Sequence, residues 1–332
     1  MVGFTQINTP VTQVLAVDEP TPTATALPTQ APTQIETRVA LVVPTQTTHA
    51  SSTHTATRAN TATATPTRKP RATKTPTPVA FPSASPTAAN TSAPVLRNAR
   101  VPILMYHHVG ELPPNADTLR KSLTVSEARF QEHMQYLAAQ GYTTIHLAEL
   151  VNHLQNGAPL PEKPIVLTFD DGYDDNYLNA FPTLKDFGFK GTFFVIGAPT
   201  DYGSPGYMRW EQILEMYEND MEIGAHSLTH RYNLGQFRAS IQDSEIKKTH
   251  QLMVDHLPNW TPLFSYPSGS YNQYTLDLLS QLGYVAAVTT KQGTLQSGAM
   301  PLELRRIRVR GEWSMSQFEY WFNYWLSAGS EK

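Results

Sequence analysis

From residue 101 onward, short apolar runs alternate with stretches whose apolar positions recur every three or four residues. Val101-Pro102-Ile103-Leu104-Met105-Tyr106 has strand character. After it, Phe130, Met134 and Leu137 share one helical face, ended by Gly141. Thr124 and Glu127 stand three apart, as in a capping box, and are expected to open that helix. The pattern predicts a strand at 143–145 and a helix at 147–155. Ile165-Val166-Leu167-Thr168-Phe169 is a continuous apolar run of the kind found in strands buried on both faces. Further helices are predicted at 175–187, 208–218, 236–256, 273–282 and 314–326. Strands are expected at 191–196, 221–225, 263–266, 284–289 and 306–309. Such strand–helix alternation implies a parallel sheet, open or closed into a barrel, with its active groups just after the strands.

Residues 1–98 break this pattern. Thr, Pro, Ala and Ser dominate there, Phe4 and Phe81 are its only aromatic residues, and runs such as Thr73-Lys74-Thr75-Pro76-Thr77-Pro78 recur. Such a segment cannot bury enough apolar surface to offset its chain entropy. It is expected to be a disordered stalk or linker with polyproline II bias, suited to O-glycosylation if exported. All five Trp and all fifteen Tyr lie beyond it, enough for one sizeable core at 99–330. The tail is slightly basic and the rest mildly acidic. Neither half is charged in the way nucleic-acid binding requires, so no nucleic-acid partner is expected. Arg68, Lys69, Arg71 and Lys74 offer contacts to an anionic wall or surface, or simply keep a linker soluble. With no Cys in the chain, a metal would have to be held by His and carboxylates. The opening Met1-Val2-Gly3-Phe4-Thr5-Gln6 lacks the pattern of a signal peptide, which sits uneasily with an exported stalk.

Three strings carry chemistry. Thr168-Phe169-Asp170-Asp171-Gly172 puts two carboxylates at the end of a buried strand, where adjacent negative charges need a cation or a shared proton. Asp-Gly is also ordinary turn chemistry. His226-Ser227-Leu228-Thr229-His230 follows another strand. Its four-residue spacing is expected to put both imidazoles on one side of a helical turn. Together with a strand-end Asp they make the ligand set of a catalytic zinc with an open position. Phe264-Ser265-Tyr266-Pro267-Ser268-Gly269 follows the next strand and reads as loop. Tyr106-His107-His108 follows the first strand, and at most one of its histidines is expected to face the site. His49, His54, His133, His146, His153, His250 and His256 have no partner pattern and read as structural or exposed.

In order and spacing, the Thr-Phe-Asp-Asp-Gly, His-Ser-x-x-His and Tyr-Pro-x-Gly strings resemble the polysaccharide deacetylase family. This family is also called the NodB-homology domain or carbohydrate esterase family four. The opening Pro102-Ile103-Leu104-Met105-Tyr106-His107 resembles its branch of biofilm poly-N-acetylglucosamine deacetylases. The likeness covers roughly residues 100–330. It implies an α/β fold, a distorted seven-stranded (β/α) barrel preceded by the disordered tail. It further implies one divalent metal ion, zinc first with cobalt or nickel as alternatives, held by Asp171, His226 and His230. Asp170 is implied as general base, and a backbone N–H near Ser268, in the Tyr266-Pro267-Ser268 loop, as oxyanion donor.

Two departures accompany the likeness. Many relatives carry an Arg near the start of the third motif, where Phe264 and Ser265 stand here. Many also carry a Leu-x-His motif, where this chain reads Leu304-Arg305-Arg306-Ile307-Arg308-Val309. The branch likeness makes His107 the general acid, and Arg306 is then the candidate to orient Asp170, or else a salt bridge at the barrel rim. The expected activity is hydrolysis of N-acetyl groups on an N-acetylglucosamine-containing polymer: a biofilm glycan, a chitin-like chain or peptidoglycan. An O-acetyl esterase on xylan-like polymers and a non-catalytic carbohydrate-binding module are the alternatives. A monomer at the cell surface or outside the cell is expected.

Overall fold

The apolar run at 165–169 lies in the strand Pro164–Phe169, buried from Ile165 onward. A strand without a solvent face needs neighbours on both edges and cover on both sides. In this structure, a computed structural model that describes residues 96–327, six further strands supply the neighbours. In chain order the seven are β1 (Ile103–Tyr106), β2 (Pro164–Phe169), β3 (Thr192–Val195), β4 (Glu222–Ala225), β5 (Leu263–Ser265), β6 (Ala286–Gln292) and β7 (Leu304–Arg308). Each pairs in parallel with the next. β7 returns to β1, with Ile307 opposite Leu104 and Arg308 opposite Met105. The sheet is thus a closed barrel of seven parallel strands, the distorted (β/α) form that the resemblance implied. Of the expected tail at 1–98, residues 1–95 lie outside the described residues, and Asn98 opens a short strand, Asn98–Arg100, paired antiparallel with Leu295–Ser297.

Parallel neighbours need crossovers, and helices provide most of them. They are α1 (Glu127–Ala139), α2 (Leu147–Asn156), α3 (Phe181–Phe187), α4 (Trp210–Glu218), α5 (Ala239–His256) and α6 (Gln273–Gln281). A last helix, α7 (Met315–Ser327), follows β7. Strand side chains alternate between two apolar clusters. Leu104, Tyr106, Leu167, Phe169, Phe193 and Ile307 pack with helix residues such as Phe130, Met134 and Phe318. Ile103, Val166, Phe194, Val288 and Leu304 join Leu147, Leu150, Val151 and Leu154 of α2 instead.

Helix α2 therefore closes the N-terminal end of the barrel, and one carboxylate fixes it there. Glu222, the first residue of β4, accepts the backbone N–H groups of Leu147 (2.8 Å) and Ala148 (3.1 Å) and the Thr192 hydroxyl (2.7 Å). An anion at a helix N-terminus satisfies donors that the helix cannot. With that end plugged, the opposite end is the mouth.

Local expectations needed some correction. Ser126, not Thr124, caps α1 and accepts from Arg129 N–H. Thr124 instead lies in the short strand Thr124–Val125, paired with His108–Val109, and its hydroxyl bonds the Arg120 carbonyl. The pattern also missed the six-residue helix Thr118–Leu123, and the helix expected at 175–187 opens with a π-helical segment, Asn176–Ala180, before α3.

Candidate active site

Because side chains alternate along a strand, Thr168 and Asp170 share one face at the end of β2, as Arg306 and Arg308 do on β7. Arg306 is fully buried inside the barrel, not at its rim. Its guanidinium grips Asp170 with two parallel hydrogen bonds, Nη1 to Oδ1 at 2.8 Å and Nη2 to Oδ2 at 2.7 Å. The remaining donors reach the Thr289 carbonyl (2.9 Å), the Thr168 hydroxyl (3.1 Å) and the Ser265 hydroxyl (3.2 Å). A buried cation this fully bonded holds its partner in one orientation. Burial alone would raise the Asp170 pKa, but Arg306 outweighs it, and the carboxylate is held below its ordinary range.

Asp171 turns the other way. Its backbone is left-handed, with φ 76°, so consecutive side chains diverge instead of stacking their charges. Its Oδ1 faces His226 Nε2 at 3.2 Å and His230 Nε2 at 3.3 Å. One donor atom from each of the three residues lies within 4.8 Å of the others. The segment from His226 to His230 is not the helical turn its spacing suggested. Ser227 (φ 61°) and His230 (φ 54°) are both left-handed, and the resulting loop brings the second imidazole back. Ser227 Oγ accepts His230 N–H at 3.1 Å. Glu245 of α5 clamps the loop from behind, accepting Thr229 N–H (2.7 Å), the Thr229 hydroxyl (2.6 Å) and Arg231 Nε (3.2 Å).

The donor chemistry of this trio fits a cation. His226 Nδ1 bonds the Ser265 carbonyl at 2.7 Å, which puts the ring proton there and frees Nε2. Asp171 Oδ1 is buried with no hydrogen-bond partner among the described residues. Burial would lower the His226 pKa, yet the Asp170 and Asp171 carboxylates and the Ser265 carbonyl raise it. Burial and then the nearby His226 lower His230 to about 4. Burial pushes Asp171 up, but the surrounding imidazoles hold it far below its ordinary value. The pocket attracts positive charge and keeps the second imidazole neutral.

His107 and His108 part company, as adjacent strand-end residues do. His107 feels both Asp170 and Asp171, although burial still lowers its pKa to about 4. His108 turns aside: its Nδ1 meets Asp175 Oδ2 at 2.6 Å and its ring stacks on Tyr173 with centroids 3.4 Å apart. Tyr173 escaped the sequence reading. Burial first, and the Asp171 carboxylate second, raise its pKa, so its neutral phenol stands beside the metal-type trio. An aromatic residue two places after Asp171 was the only available signal.

The Tyr266-Pro267-Ser268 loop divides its duties. Tyr266 and Pro267 are buried, and the Tyr266 hydroxyl donates to the Leu302 carbonyl at 2.9 Å, so its ring is a wall of the loop and its polar end is engaged. Ser268 is exposed and left-handed (φ 54°). Gly269 follows at φ 71°, where an added Cβ would lie 2.1 Å from Thr290 Oγ1. His49 and His54 lie outside the described residues, and the other five histidines pack or bond within the fold. His133 is fully buried against Phe318 and near the Tyr106 hydroxyl, and His256 stacks on Trp210.

Comparison with known proteins gives a consistent result. A family model described as polysaccharide deacetylase matches residues 157–287. The Bacillus subtilis (strain 168) protein YxkH, whose name places it among polysaccharide deacetylases, is 34% identical over 215 residues, 65% of this chain and 73% of its own length. A Staphylococcus epidermidis poly-beta-1,6-N-acetyl-D-glucosamine N-deacetylase is 25% identical over 248 residues, 69% of this chain and 84% of that protein. Among solved structures, Streptococcus pyogenes deacetylase PplD in complex with acetate aligns with a TM-score of 0.60 and 32% identity, over 69% of this chain and 98% of that one.

Proposed function

Because the chain belongs to the polysaccharide deacetylase family, we propose that its barrel mouth hydrolyses N-acetyl groups on an N-acetylglucosamine-containing polysaccharide with the help of one divalent cation. A single observation carries the reading. Asp171, His226 and His230 converge on one point, while Asp170, next in sequence, is held apart from them by Arg306. Two imidazoles and a carboxylate suit zinc first, with cobalt or nickel next. Bound by those three residues, the cation supplies Lewis acidity for the acetyl carbonyl and acidifies water.

The chain's own groups supply the rest. Asp170, ionised and oriented by Arg306, takes a proton from the attacking water as its oxygen bonds the acetyl carbon. A backbone N–H near Ser268 helps hold the charge that develops on the carbonyl oxygen. The C–N bond then breaks and acetate leaves, but the sugar nitrogen departs only if protonated. Asp170 is a weak holder of the proton it took, since Arg306 favours its charged form. His107 is neutral at rest and faces the same carboxylates, so it takes up that proton and delivers it to the nitrogen. The Thr/Pro-rich 1–98 segment serves as a surface stalk outside the cell.

The test pairs metal analysis of purified protein with acetate release from N-acetylglucosamine oligomers, peptidoglycan strands and acetylated xylan. About one bound divalent ion per chain and release from the N-acetylated glycans are expected. Acetate mainly from xylan would move the reading to an O-acetyl esterase. No retained metal and no acetate from any substrate would overturn it.

A further inference from the structure

The short helix Thr118–Leu123 carries Arg120 to the mouth of the barrel, where its guanidinium lies 5.9 Å from the centroid of the Tyr173 ring. Tyr173 stands against Asp171, so Arg120 is one aromatic ring away from the metal-type trio, and it also lies within electrostatic reach of Tyr207. Among the described residues no carboxylate pairs with it, and its buried Nε has no hydrogen-bond partner. A buried guanidinium nitrogen left in this state loses its hydration without compensation. Arg306, deeper in the same barrel, shows the usual remedy: all of its donor nitrogens are engaged.

The position of Arg120 is not accidental slack in a loop. Asp117 caps its helix, accepting Arg120 N–H at 2.7 Å, and the Thr124 hydroxyl bonds the Arg120 carbonyl at 2.8 Å. Thr124–Val125 pairs with His108–Val109 directly after β1. On the other side Gly311 N–H bonds the Ser122 carbonyl at 2.9 Å. A Cβ on Gly311 would fall 1.9 Å from the Thr124 carbonyl oxygen and 2.4 Å from that of Lys121. Glycine there lets β7's exit press against this segment. The backbone that bears Arg120 is therefore clamped between both barrel strands that flank the closure.

We propose that Arg120 is a specificity-determining residue that binds a carboxylate carried by the substrate glycan beside the N-acetyl group to be cleaved. A carboxylate is the group that a planar fork of N–H donors recognises best, through charge-assisted and bidentate bonds. Tyr173, itself stacked against the His108 ring, lies beneath the guanidinium and orients it. The preferred substrate is thus an acid-bearing N-acetylated glycan, such as one with a lactyl ether or uronic acid, over a neutral N-acetylglucosamine homopolymer. This inference rests on the deacetylase reading for its chemistry but not for its binding.

The experiment compares three oligosaccharides of equal length: an N-acetylglucosamine–N-acetylmuramic acid oligomer, its carboxyl methyl ester, and a neutral N-acetylglucosamine oligomer. Full-length wild type, Arg120→Ala and Arg120→Lys are each assayed by acetate release and by calorimetric binding. Wild type should favour the free acid over its ester at least tenfold in kcat/KM, expressed mainly in KM. Arg120→Ala should erase that preference while lowering kcat/KM on the neutral oligomer less than threefold. Arg120→Lys should restore only part of it, with a stronger salt dependence. Equal handling of acid and ester by wild type, or equal losses of Arg120→Ala on all three, would overturn the proposal. Charge-dependent binding lost in Arg120→Ala, without acetate release from any oligomer, would support this inference and sink the deacetylase reading instead.

Discussion

Asp170 sits 3% exposed at the end of β2, where burial would raise its pKa, and the Arg306 fork reverses that sign. Its depressed value means that the pair stabilises the fold at neutral pH and that this contribution is lost as pH falls through the folded-state pKa, below the ordinary 3.8. Arg306→Gln removes the lowering influence and leaves burial to act alone. The acid limb of the kcat/KM profile should then move to higher pH, and denaturant unfolding should show a loss of about 3–5 kcal/mol. An unshifted limb would separate Arg306 from the base. Asp170→Asn should keep its metal and lose nearly all turnover, whereas His226→Ala should lose both. Loss of metal in Asp170→Asn would place that carboxylate among the ligands. For His107→Ala the expected fall in turnover is about a hundredfold or more with metal still bound.

Between residue and fold lie two elements tied down by buried carboxylates. The His226–His230 loop has no repeating backbone bonds of its own, and Glu245 of α5 supplies three contacts that hold it. Glu245→Gln should leave the barrel folded but weaken metal affinity by about tenfold, the usual effect of loosening what stands behind a ligand. A metal titration monitored beside thermal unfolding distinguishes this from general damage. Glu222 works at the other end, fastening the start of α2 to β4. Glu222→Ala strands two helix N–H groups and should cost about 1–3 kcal/mol in a denaturant titration. Turnover per folded molecule should hardly change, because the plug is a barrel length away from the mouth.

At the scale of the molecule, helix α2 shuts one end of a seven-stranded barrel, and all the candidate chemistry gathers at the other. Seven strands enclose less room than eight, and the fully buried Arg306 and its partners fill the space beneath the site with polar contacts. No helix among the described residues is long and apolar enough to cross a membrane. Residues 1–98 are the proposed surface stalk. Deleting those residues should leave acetate release from a soluble oligosaccharide within about twofold and abolish retention on an insoluble polymer. Loss of turnover on the soluble substrate would show that the segment contributes to the site itself.

Sequence alone set the order and type of nearly every large element, because helix and strand periods are local and each apolar run needed only its own neighbours to be read. It also picked out Asp170, Asp171, His226 and His230, since chemically distinctive residues at strand ends are visible without coordinates. Tertiary structure decided what depends on contacts between distant segments. Closure of the sheet rests on β7 meeting β1, roughly two hundred positions away, which no local period encodes. The His226–His230 spacing suggested a helical turn, and only left-handed Ser227 and His230, braced by Glu245, show how the imidazoles really meet. Arg306 was one cation in a run of several, and its place inside the barrel follows from which strand face turns inward. Tyr173 and Arg120 had no motif to announce them. Their importance comes from packing against Asp171 and from an unsatisfied donor, properties that exist only once the chain is folded.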